Sequence, residues 1–74
     1  MKIVKVFKTD VEDQQAARLV IHLLQQAFLH YRINFDLDDC DRILRIESQQ
    51  EPIDEGDIQM FIARCGHHCE PLKG

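Results

Sequence analysis

The hydrophobic period of this chain switches between two and 3.6 several times within 74 residues, and that switching limits the fold more than any other feature. From Lys2 to Lys8 the residues are β-branched, aromatic or lysine, with Val4 and Val6 on one face and Ile3 and Phe7 on the other, as in a strand. Thr9 and Glu12 have the spacing of a capping box, which predicts a helix starting where the strand stops. Ala16, Val20, Leu23, Leu24 and Ala27 then recur at helical intervals, so this helix is expected to end near Phe28.

From Tyr31 to Leu37 the period returns to two, with Ile33, Phe35 and Leu37 alternating against Arg32, Asn34 and Asp36. Asp38 to Asp41 reads as a turn and Arg42 to Glu47 as the returning strand, with Leu44 and Ile46 facing one way and Ile43 and Arg45 the other. After the polar loop Ser48 to Pro52, Asp54 is a suitable N-cap for a second helix, and Ile53 can staple onto Ile58. That helix would bury Ile58, Phe61, Ile62 and Cys65 and end at Gly66 in the left-handed conformation. His67 to Leu72 can form only a short edge strand, because Pro71 interrupts it. The order is βαββα with a possible last β. The expected fold is α+β, a two-layer ferredoxin-like sandwich in which both helices cover one face of an antiparallel sheet. A chain this short holds one core, so residues 1–74 are read as a single domain.

These segments resemble the heavy-metal-associated domain, the small βαββαβ module of copper chaperones and metal-transporting ATPases. The resemblance rests on Val4 to Thr9, the helix Ala16 to Phe28, the hairpin Ile33-Asn34-Phe35-Asp36-Leu37 with Ile43-Leu44-Arg45-Ile46, and Ile58 to Cys65 followed by Gly66. It covers nearly the whole chain and implies the ferredoxin-like fold. The family holds soft metal through a Met-x-Cys-x-x-Cys run at the start of the first helix. Here the run from Thr9 to Ala16 has no cysteine, with Asp13 and Ala16 standing where the thiols belong. The resemblance therefore implies the scaffold without the metal carriage of that loop.

Charge and composition narrow the function. Thirteen acidic against nine basic residues leave a formal charge of -4, which works against nucleic acid and anionic membrane surfaces as partners. The longest apolar stretch, Leu19 to Leu24 with His22 inside it, is far short of the roughly twenty residues of a membrane span. Lys2, Lys5 and Lys8 break the opening segment in a way no signal peptide does, so a cytosolic location is expected. In that compartment the three cysteines, Cys40, Cys65 and Cys69, would be free thiols or ligands. No nucleophile with an adjacent base, no glycine elbow and no phosphate loop can be found, and a non-catalytic role is expected without a required cofactor.

Three constellations remain. Cys65-Gly66-His67-His68-Cys69 places four soft or borderline ligands in five residues, a possible zinc or copper set. The competing reading makes Cys65 part of the buried stripe and His67 a helix-end residue. The acidic run Asp36 to Asp41 with Glu47 has some calcium-loop spacing, but Cys40 and Asp41 occupy positions that need an oxygen ligand and a glycine, so it reads as a solvated hairpin tip. Last, Ile3, Phe7 and Ile43, rimmed by Lys5, Arg32 and Arg45, would share the open sheet face, the expected surface for a protein partner or a second copy. A protein-interaction module is the first functional expectation and transition-metal binding the alternative.

Overall fold

The computed structural model describes residues 2–36 and 42–72. Its elements are β1 (Ile3–Thr9), α1 (Gln14–Ala27), β2 (Tyr31–Asp36), β3 (Ile43–Ser48), α2 (Glu55–Arg64) and β4 (Cys69–Pro71). The four strands form one antiparallel sheet in the order β2-β3-β1-β4, the ferredoxin-like layout. Ala17, Val20 and Leu24 of α1 and Ile58 and Ile62 of α2 join Phe7, Ile33, Leu44, Ile46 and Cys69 in one core, so both helices cover the same face of the sheet.

Local chemistry explains the second half of the chain. Asp54 caps α2 by accepting the Asp57 N–H at 3.1 Å, and Ile53 and Ile58 are both buried in the stapled arrangement. Gly66 ends the helix at φ 87°, where the Gly66 N–H reaches Ala63 O and the His67 N–H reaches Ile62 O, a Schellman closure. Pro71 fits β4 because the ladder bonds on either side come from Asp10 N–H to His68 O and from Leu72 N–H to Val6 O. Its missing donor thus faces away from β1.

The first half departs from expectation in two places. Thr9 does not cap α1. It ends β1, 6% exposed, where its hydroxyl donates to Arg42 O at 2.7 Å and accepts the Val11 N–H. The cap is Asp13, whose Oδ1 accepts the Ala16 N–H at 2.7 Å. The buried line of α1 is correspondingly turned toward Ala17, Val20 and Leu24, leaving Leu19 and Ala27 outside.

The second departure is the parity of β1. Phe7 pairs with Leu44 and Lys5 with Ile46, so the odd-numbered residues of β1 share the helix-covered face with two fully buried β3 side chains. Phe7 is completely buried and Ile3 packs on the core, whereas Val4 is 44% exposed on the other face. The expected orientation of β2 and β3 holds, and only β1 is inverted relative to them.

Candidate functional site

The segment after α2 spreads its potential ligands in different directions. Cys69 begins β4 pointing into the core at 2% exposure, paired with Thr9. Strand alternation then turns its neighbours His68 and Glu70 outward, and both are exposed. Cys65 is the α2 C-cap, half-buried against the core. His67 Nδ1 lies 3.3 Å from Asp10 Oδ1, while the His68 backbone N–H donates to the same carboxylate at 2.9 Å. Burial raises the Cys65 thiol, and burial with a smaller contribution from the Asp10 charge pushes Cys69 up to about 11. Soft metals bind thiolates, and both environments hold the proton on sulfur. Among the described residues, no three His, Cys, Asp or Glu side chains gather as a metal-holding group. Thus Cys65, His67, His68 and Cys69 adjoin in sequence without converging in space. Cys40 and the acidic hairpin tip lie outside the described residues.

The turn between β1 and α1, where the resemblance puts a thiol pair, consists of capping and clasping groups. Asp13 is occupied by Ala16 N–H, and Asp10 ties this turn to the one between α2 and β4.

On the open sheet face, strand register sorts the side chains into three rows. Arg32, Glu47 and Val4 form the first, with Lys2 bonded to Glu47 at 3.4 Å. Asn34, Arg45 and Val6 form the second, and the Leu72 N–H to Val6 O bond sets Leu72 beside them at the edge. Asp36, Ile43, Lys8 and Glu70 form the third. Of the six residues expected on this surface, Ile43, Arg32 and Arg45 are there, with Ile43 only 8% exposed. Ile3, Lys5 and Phe7 turn to the helix side, Phe7 into its centre. The surface instead has an apolar strip of Val4, Val6 and Leu72, the last 40% exposed. The identity of the outward β1 face was the missing piece, and only the pairing of Phe7 with Leu44 supplies it.

No described helix is long and apolar enough to cross a membrane. Comparison with family models, curated proteins and solved structures gave no match to the chain.

Proposed function

We propose that the protein is a non-catalytic association module built on a heavy-metal-associated type of scaffold without the thiol loop, and that it binds a second copy of itself through the open sheet face. The supporting observation is the contiguous strip of Val4, Val6 and Leu72 set among side chains of both charge signs. A copy offers the same mixture, so Lys8, Arg32 and Arg45 of one face can meet Glu47 and Glu70 of the other. Strands about 4.8 Å apart, with β1 to β3 six or seven residues long and β4 three, at about 3.4 Å per residue, give a face of roughly 360 Å². That is about half the roughly 800 Å² per partner of a standard stable interface, so association should be weak.

Sedimentation of the wild type should show the average mass rising above 8.7 kDa as concentration enters the high micromolar range. Val4→Lys, which faces Glu47 across the sheet, combined with Leu72→Glu, should keep the monomer mass with at most a modest fall in the unfolding midpoint. A wild type that remains monomeric at every concentration, or a variant that dimerises equally well, refutes the reading.

A further inference from the structure

Where the end of α1 meets α2, an aromatic cluster lies that the core does not enclose. Phe28, the C-cap of α1, stacks on Tyr31 with ring centroids 5.3 Å apart and meets Phe61 of α2 edge-on at 5.8 Å. The turn between Phe28 and Tyr31 is closed by the Tyr31 N–H to Phe28 O bond, and Gln25 Nε2 holds Tyr31 O at 2.6 Å. This turn presents Leu29 at 77% exposure, and across Phe28 the α2 residue Met60 is 60% exposed. They are the two most exposed large apolar side chains among the described residues. Two shallow depressions meet at Phe28, one running under Leu29 to Glu51 and the other passing Met60 and Phe61 to Asp57 and Arg64.

The charge around this apolar groove has one dominant sign. Burial, followed by the charges of Glu51, Asp57 and Asp54, raises the Tyr31 hydroxyl above its ordinary value. All three carboxylates therefore act on the ring that floors the groove. The oxygen of Asp54 is engaged by the α2 cap, which leaves Glu51 and Asp57 facing the two depressions. Arg64 is the one Lys or Arg among the lining residues. Aromatic faces and edge carboxylates both attract cations, and the exposed leucine and methionine invite an apolar anchor.

We propose that the groove around Phe28 docks a basic amphipathic segment of a protein partner, with an apolar side chain seated between Leu29 and Met60 and flanking lysines or arginines against Glu51 and Asp57. This surface lies on the helix side, apart from the sheet face used for self-association, so the module would link its own copies to a basic partner.

Tyr31 is the single tyrosine of a chain without tryptophan, so its emission reports on the groove directly. The probes are two peptides of about eighteen residues with the same leucine spacing, one with lysine and one with glutamate at the remaining positions. The lysine peptide should change Tyr31 emission saturably and shift the amide signals of residues 28–31 and 57–61. Leu29→Ser with Met60→Ser should abolish this response. Glu51→Gln with Asp57→Asn should weaken it about tenfold, the sum of two modest exposed charge pairs. The glutamate peptide should give no response. Equal binding of both peptides, binding of neither, insensitivity to the variants, or shifts confined to Val4, Val6 and Leu72 would each overturn the assignment. The last outcome would transfer the activity to the sheet face and leave self-association standing.

Discussion

Asp10 does more than its 56% exposed side chain suggests, because it receives the His68 N–H and faces His67 while its own N–H donates to His68 O. The hydrogen bond from the His68 backbone is the largest cause holding this carboxyl below its ordinary 3.8; burial opposes it, and the charge of His67 adds to the lowering. A carboxyl with a lower pKa in the folded chain stabilises the fold above its unfolded value, and that contribution disappears as pH falls through the folded value. Asp10→Asn should therefore lower the thermal midpoint modestly at about pH 6, and the gap from wild type should close below 3.8. A gap that persists unchanged into strong acid would show that the carboxylate charge is irrelevant to the clasp. Cys69 has the opposite sign. With its thiol raised from 9.0 to about 11, it favours the folded state below 9.0, and this advantage fades as pH rises toward about 11. Cys69→Ala should remove that alkaline loss at a neutral-pH cost of about 1 kcal/mol, read from denaturation midpoints at neutral and alkaline pH.

Helix ends show which elements can be read locally. Asp54, Ile53, Ile58 and Gly66 lie within a few residues of the groups they satisfy, so their spacing alone specifies the α2 start and stop. Thr9 has the same capping vocabulary, yet its hydroxyl bonds Arg42 O, 33 residues away, and the cap passes to Asp13. A local motif loses here to a partner that only the folded sheet supplies. Two substitutions measure these ends. Asp13→Ala should cost about 1 kcal/mol, as for an N-cap acceptor, with the denaturant slope unchanged. Gly66→Ala should cost a similar ~1 kcal/mol through backbone conformation alone, since an added Cβ meets nothing within 4 Å. Gly66→Asn should recover part of that loss; an alanine as stable as glycine would contradict the left-handed closure.

At the scale of the whole molecule, the layered architecture was legible and the surface was not, for one reason. Periods and breakers define strands and helices, and amphipathic helices need a sheet face to cover, which together lead to the two-layer βαββαβ arrangement. In β1, however, Ile3 and Phe7 alternate with Val4 and Val6, so both faces look apolar and the strand can be read with either one inward. Pairing with β3 decides between them, and with that decision the membership of the open surface changes. The ligand run after α2 is dispersed for a related reason, because strand parity separates Cys69 from His68. The β1 assignment has a large energetic signature. At roughly 0.05–0.15 kcal/mol per residue, a domain of 74 residues has a total stability of about 4–11 kcal/mol. Phe7→Ala empties a fully buried site and should remove about 3–5 kcal/mol, a large part of that total. Val4→Ala, at 44% exposure, should cost only about 1 kcal/mol by the same denaturation measurement, since over two fifths of its area is already in water. A large loss at Val4 with little at Phe7 would turn β1 over and return Phe7 to the open face, and with it would go the apolar strip on which the proposed self-association rests.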